Sequence, residues 1–114
     1  MDNGIYSAVF KSSIEKVGGC LLVIDNGKIH GGTTRYIIKG FYERKGDTTE
    51  AELKIEHYQG PLKSVFGEIE EYSLILSVTP EPGSFQMKGY MIENADMKIE
   101  VEGIKVSGLV SAYP

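Results

Sequence analysis

The residues with the most chemical potential in this sequence are one cysteine, Cys20, and two histidines, His30 and His57. Both histidines and a carboxylate could bind zinc, but no His-x-x-x-His or Cys-x-x-Cys spacing supports such a site. Cys20 precedes the apolar run LLVI (residues 21–24), and no neighbouring cation or helix N-terminus would activate its thiol. We therefore predict no metal site, a buried and inert cysteine, and a surface-loop position for His30.

Two further stretches hold reactive residue types without the order that phosphate binding or catalysis requires. Residues 27–34 contain the glycines, lysine and threonines of a phosphate loop, but no Gly-Lys-Ser/Thr sequence opens a helix there. We predict a hairpin turn and a glycine bulge instead. Glu68, Glu70 and Glu71 are neighbours ahead of a strand, so we expect a solvated face and not an acid–base pair across a cleft. The sequence predicts neither an enzyme nor a cofactor site, and catalysis by His57 with a nearby Tyr or Glu is an alternative without motif support.

The composition predicts one soluble globular domain that spans residues 1–114. Apolar residues make up 41% and charged residues 25%, which is typical of a folded protein. Twelve Lys and Arg stand against sixteen Asp and Glu, so we expect neither nucleic acid nor an anionic membrane as a partner. The sequence starts without a secretory signal pattern, and no apolar run reaches the roughly 20 residues of a transmembrane helix. We therefore expect a cytoplasmic location.

Alternation of apolar and polar residues is the main structural signal, and it predicts β-strands. Residues 50–57 show it best, because Leu53, Ile55 and His57 alternate with charged side chains. The other segments with this signal, in whole or in part, are residues 5–10, 19–24, 35–43, 72–78, 85–91, 97–102 and 104–110. The sequence thus predicts about eight strands.

Turn residues separate these segments. Asp25-Asn26-Gly27 is a hairpin signal, because Asn and Gly tolerate the positive φ of a primed turn. Residues 45–47 and 80–83 mark further reversals. Gly40 and Gly89 fall inside strand patterns, where glycine allows the strong coiling that a closed sheet requires.

Helix is predicted in two short turns only. Residues 12–16 can form one turn from a Ser12 cap, and residues 60–67 have an early Pro and a final Gly. Neither turn is long enough to connect parallel strands. We therefore predict an all-β, antiparallel domain, either a sandwich or an up-and-down barrel.

The alternation also assigns side chains to an inner and an outer face. The inward aromatic, histidine and methionine residues can fill a solid core, which is their commoner use, or line a cavity for an apolar ligand. The candidate lining residues are Tyr36, Tyr42, His57, Tyr72, Met87 and Met91. Four apolar residues are predicted to face outward and form a candidate dimer or partner surface, namely Ile37, Phe41, Ile75 and Tyr90.

Several short motifs resemble the GrlR-type family, which is named for a negative regulator of type III secretion genes. They are NGIYSAVF (residues 3–10), GG (31–32) before a strand that ends in GFY (40–42), SVFG (64–67), and Phe85 with Gly89. Together they cover most of the chain, and each motif is mainly structural.

The resemblance implies a lipocalin-like barrel of about eight strands and a cytoplasmic homodimer that acts by binding a protein partner such as a transcriptional activator. In the founding member an acidic loop makes that contact. The corresponding loop here is charge-mixed, without an acidic run, and its candidate partner residues are Glu43, Arg44, Lys45, Asp47 and Glu50. The alternative function is a carrier or sensor of a small apolar or lipid-like ligand inside the barrel.

Overall fold

The computed structural model describes residues 1–110, and these residues form eight antiparallel strands. The strands are β1 (Gly4–Ser12), β2 (Val17–Asp25), β3 (Lys28–Gly32), β4 (Tyr36–Lys45), β5 (Thr48–His57), β6 (Glu71–Glu81), β7 (Ser84–Met91) and β8 (Asn94–Ser107). Each strand pairs with the next along the chain, and β8 pairs with β1. The sheet is therefore a closed up-and-down barrel. The last residues of the predicted domain, 111–114, lie outside the described residues.

The alternation of side chains sets the barrel interior, as the sequence predicts. In β5, Ala51, Leu53 and Ile55 are at most 5% exposed, whereas Glu52 and Lys54 face the solvent. The other seven strands also direct apolar side chains inward, so one continuous core fills much of the barrel. The all-β antiparallel prediction is confirmed, and the barrel is the correct choice between the two predicted architectures.

The strand assignment differs from the prediction in two places. The predicted hairpin turn is present, because Asn26 and Gly27 adopt positive φ of 48° and 84° between β2 and β3. The predicted glycine bulge is absent, because Lys28–Gly32 forms β3, which pairs with both β2 and β4 in regular register. His30 accordingly lies on the outer face of β3 and not in a loop. Residues 104–110 are not a separate strand, because residues 104–107 continue β8. The short β3 shows little alternation of apolar and polar residues, since Ile29 is its single large inward side chain.

The predicted helical turn at residues 12–16 is wrong. Ser12 is the last residue of β1, and its hydroxyl is buried and donates to the Val65 carbonyl oxygen at 2.6 Å. It is therefore not available to cap a helix. The chain reverses directly into β2 with a positive φ of 65° at Glu15.

The predicted helical turn at residues 60–67 is also wrong. Ser64 and Gly67 exchange backbone hydrogen bonds of 2.9 and 3.1 Å, which form an isolated antiparallel bridge. Gly67 adopts a positive φ of 97°, so it closes a tight turn instead of ending a helix. No helix occurs in residues 1–110.

The two ends of the barrel differ. At one end, called the packed end, the buried rings of Tyr6 and Phe85 lie 5.2 Å apart and fill the interior. The Tyr6 hydroxyl donates to the Asp2 carbonyl oxygen at 2.7 Å and so holds the N-terminal residues at this end. The other end, called the mouth end, carries the connections of residues 13–16, 33–35, 58–70 and 92–93.

Glycines inside the strands allow neighbouring backbones to approach closely where the sheet coils. A Cβ atom at Gly89 would overlap the Ile75 carbonyl oxygen of β6, and one at Gly40 would overlap the Glu52 carbonyl oxygen of β5. Neither obstacle is a flexible side chain, so a substituent would have to displace the paired strand.

We predict that Gly89→Ala lowers the free energy of unfolding by about 1–3 kcal/mol, because the added methyl group forces β6 and β7 apart. Urea unfolding followed by circular dichroism measures this change. Gly108→Ala is the matched control, because a Cβ atom there meets no neighbour. Equal unfolding midpoints for the two variants would contradict the packing described for Gly89.

Candidate functional site

A cavity of about 440 Å³ lies inside the barrel toward the mouth end. Its walls come from six of the eight strands, with β3 and β7 absent. The strand residues that form the apolar wall are Phe10, Cys20, Leu22, Tyr36, Ile38, Leu53, Ile55, Tyr72, Leu74, Ile99 and Val101. The barrel therefore has an apolar cavity that opens at one end and a packed core at the other.

The strand residues of the apolar wall carry no charge. Burial raises the pKa of the Cys20 thiol to about 11, so the thiol stays protonated at neutral pH. Burial also raises the pKa of the Tyr72 hydroxyl, which stays protonated for the same reason. Among the described residues, the lining contains no Asp or Glu. The interior thus favours an apolar group over a charged one.

Basic side chains surround the cavity where it reaches the mouth end. Lys16, Arg35 and Lys63, here called the mouth cations, belong to three different connections, and each contributes to the lining. None of the three forms an ion pair with the described carboxylates, whose ion pairs use other lysines. Thr33, Thr34 and Ser64 add hydroxyl groups to the same rim.

The long connection of residues 58–70 packs across the mouth end. Its Val65 and Phe66 are buried, and the Phe66 ring meets the Tyr72 ring edge-on at 5.3 Å. The hydrogen bond from Ser12 to the Val65 carbonyl oxygen ties this connection to the end of β1. Phe66 and its neighbours therefore cover part of the barrel end beside the cavity.

The same connection is held against residues 33–35 on the other side of the mouth. The Tyr58 hydroxyl donates to the Thr33 carbonyl oxygen at 2.9 Å, and the Gln59 amide donates to the Thr34 carbonyl oxygen at 2.7 Å. The backbone N–H of Tyr58 donates to the Arg35 carbonyl oxygen. These contacts fix the rim on which two of the mouth cations stand.

The structure separates the six candidate lining residues. Tyr36 and Tyr72 lie on the cavity wall, and the Tyr36 hydroxyl donates to the Ile69 carbonyl oxygen at 2.7 Å. His57 lies at the end of β5, where Nε2 is 2.7 Å from the Gly60 carbonyl oxygen and therefore carries the hydrogen that it donates.

The remaining three candidates lie away from the cavity. The Tyr42 hydroxyl donates to the Met1 carbonyl oxygen at 3.2 Å, at the packed end. Met87 and Met91 are buried in the core and take no part in the cavity lining. The methionines of β7 thus fill space in the barrel, and the aromatic lining reduces to Phe10, Tyr36 and Tyr72.

The four candidate surface residues face outward, but they do not form one patch. Ile75 pairs directly with Tyr90, whereas Glu52 stands between Ile75 and Phe41 in the sheet register. Ile37 lies near the mouth end of β4.

The candidate partner loop is the β4–β5 hairpin at the packed end. Lys45 Nζ lies 3.1 Å from Glu50 and 3.6 Å from Glu43, and Arg44 donates to the Gly46 carbonyl oxygen. Asp47 is exposed at the tip of the hairpin. The loop charges are therefore largely balanced among themselves.

A larger apolar surface lies on the outer side of β8, β1 and β2. Its members are Ile5, Val9, Val17, Leu21, Val23, Ile104 and Val106, here called the outer apolar face. Ser7 sits near its centre, because it pairs with Leu21 on one side and with Ile104 on the other. The sequence analysis did not predict this face. Its signal is present in the sequence, because β1 and β2 have apolar residues on both sides of the strand.

Neither a metal site nor a membrane helix appears within residues 1–110. No group of three or more His, Cys, Asp or Glu residues could hold a metal ion, and no helix could cross a membrane. No protein-family model matches the chain, and no curated protein shows significant similarity to it.

We predict that Ser12→Ala loosens the connection over the mouth, because it leaves the buried Val65 carbonyl oxygen without its donor. The free energy of unfolding should fall by about 1–3 kcal/mol. Amide hydrogen exchange should accelerate at residues 64–67. Ser77→Ala is the matched control, since Ser77 is exposed on β6. Unchanged exchange at residues 64–67 in Ser12→Ala would contradict this role.

Proposed function

We propose that this protein binds a small, largely apolar molecule inside its barrel, as a lipocalin-like carrier or sensor does. The observation that carries the proposal is the cavity of about 440 Å³ with a neutral apolar wall. Ligand sites in proteins commonly occupy about 300–1,000 Å³ and combine apolar walls with a few placed polar groups.

The energetics favour an apolar ligand. Burial of apolar surface contributes about 25 cal/mol per Å², so a ligand that buries about 250 Å² gains roughly 6 kcal/mol. The preformed wall adds little ordering cost, because Leu22, Leu53 and Leu74 already belong to a rigid sheet. The proposal concerns binding without catalysis, in line with the expectation from the sequence.

The neutral fluorophore N-phenyl-1-naphthylamine tests this function. We predict saturable binding by the wild-type protein with a blue shift and enhanced emission, because the probe leaves water for the cavity. Cys20→Phe should weaken binding about tenfold or more, since the new ring occupies space beside the cavity wall. Gln86→Phe is the control, because Gln86 faces the solvent on β7.

Circular dichroism shows whether Cys20→Phe still folds. If it does not, the amide chemical-shift changes that the probe causes at Leu22 and Tyr72 in the ¹⁵N-labelled wild-type protein replace it as the readout. Absence of saturable binding to the wild-type protein would overturn the proposal. An equal loss of probe affinity in Gln86→Phe would show that the probe binds outside the cavity.

A second candidate function is regulation through protein contact, in line with the GrlR-type resemblance and its dimer that binds a transcriptional activator. The outer apolar face supports self-association, since contiguous apolar surface of this kind marks interfaces more often than scattered residues do. Ser7 and Gly19 form low points on this face beside the projecting Leu21 and Ile104. A second copy related by a two-fold axis can place its projecting residues over these low points.

We predict a homodimer in solution, with a mass about twice the 12.6 kDa of one chain. Leu21→Lys should produce the monomer, because it places a charge in the centre of the interface. Leu62→Lys is the control, as Leu62 is exposed on the connection over the mouth. Light scattering after size-exclusion chromatography measures the mass. A wild-type monomer at micromolar concentration would contradict this assembly.

A further inference from the structure

We propose that the mouth cations select an anionic amphiphile, namely a single-chain carboxylic acid such as a fatty acid. Its apolar chain lies in the cavity, and its carboxylate lies among Lys16, Arg35 and Lys63. This inference rests on the proposed function, because it requires that the cavity binds a ligand.

The fold brings the mouth cations together from separate parts of the chain. Lys16 immediately precedes β2, and Arg35 immediately precedes β4, whose first residue Tyr36 also lines the cavity. Lys63 adjoins the buried Ser64 in the connection over the mouth. Three of the connections at the mouth end thus each contribute one basic residue to the lining of the same cavity.

These charges are available for a ligand. In the described part of the chain none of the three cations has a carboxylate partner, although the chain carries a net charge of −4. Glu68 and Glu70 follow in the same connection as Lys63 but take no part in the lining. Glu15 and Glu93 lie in other connections of the mouth end and are likewise absent from the lining. The charged residues that line the cavity are therefore all positive, which favours an anion over a cation there.

Arg35 and Thr33 supply the geometry that a carboxylate uses. Arg35 is half-buried, and its guanidinium group can donate two parallel hydrogen bonds to one carboxylate. The Thr33 hydroxyl oxygen accepts the backbone N–H groups of Arg35 and Tyr36 at 3.1 and 3.0 Å. Its own hydrogen is then free to point toward an anion at the rim.

The neutral wall fixes the orientation of the ligand. A carboxylate inside the cavity would lie among Leu22, Leu53 and Leu74 without a charge partner, which is costly. The same wall is favourable for a hydrocarbon chain. The ligand therefore enters chain first, and its charged end remains with the mouth cations.

The test is displacement of N-phenyl-1-naphthylamine by three ligands with the same chain, all below their micelle concentrations. Dodecanoate should compete at a concentration about tenfold lower than 1-dodecanol, because it adds charge-assisted hydrogen bonds at the mouth. Dodecylamine should displace the probe less effectively than 1-dodecanol does. Dodecyl sulfate shows whether the mouth selects a carboxylate or accepts other anions; binding tighter than that of dodecanoate would overturn the choice of carboxylate.

The double variant Arg35→Gln with Lys63→Gln should bring dodecanoate and 1-dodecanol within about threefold of each other, when both are expressed relative to the affinity of the same variant for the probe. The backbone contact of Arg35 with Tyr58 is retained in this variant. Lys88→Gln is the control, because Lys88 lies on the outer face of β7 and pairs with Glu100. It should keep the full preference for dodecanoate.

The outcomes separate the two proposals. Probe and 1-dodecanol binding without a preference for dodecanoate would overturn the carboxylate inference and leave the apolar site intact. Absence of binding by both the probe and 1-dodecanol would overturn the proposed function and this inference together. A preference that survives the double variant would place the carboxylate away from Arg35 and Lys63.

Discussion

Pairing between β1 and β8 is the constraint on which the rest of the structure depends. β1 pairs with β2 on one side and with β8 on the other, so the first and last strands join the sheet into a barrel. Closure satisfies the backbone groups that edge strands would expose. It also creates the interior, because without it the inward side chains of β1 and β8 would face the solvent. The cavity and the ring of connections at the mouth both follow from this pairing.

The two barrel ends differ in how their interior is filled, and the proposed function depends on this difference. Tyr6 and Phe85 are large enough to fill the packed end, and the Tyr6 hydroxyl reaches a backbone acceptor there. At the mouth end, Phe66 packs on Tyr72 beside the cavity and leaves its centre empty. A barrel that was filled at both ends would contain a packed core and no cavity. In the proposed function, the cavity at the mouth end makes the apolar wall available to a ligand.

The sequence predicts the barrel strands well where one face is charged and the other apolar. β5 is the best case, since Leu53 and Ile55 alternate with Glu52 and Lys54. Prediction failed for β3, where two glycines in five residues leave little alternation. Prediction also failed at residues 12–16 and 60–67, because long-range contacts determine the conformation of these segments despite their local helix signals. The hydrogen bond from Ser12 to Val65 joins these two segments, and neither segment alone reveals it.

The candidate site was less predictable than the strands. Alternation identifies Tyr36 and Tyr72 as inward residues, but it does not tell which inward residues leave space between them. That depends on how Phe66 packs against the barrel end. No local sequence pattern marks the mouth cations, because Lys16, Arg35 and Lys63 lie in three separate connections that closure of the sheet brings to the same end of the barrel.

The most direct test of the central claim is a titration of ¹⁵N-labelled protein with N-phenyl-1-naphthylamine, followed by amide chemical shifts. Binding inside the barrel predicts the largest shift changes at Cys20, Leu22 and Tyr72, on the cavity wall. Shift changes confined to Val9 and Ile104, on the outer apolar face, would contradict a ligand site inside the barrel.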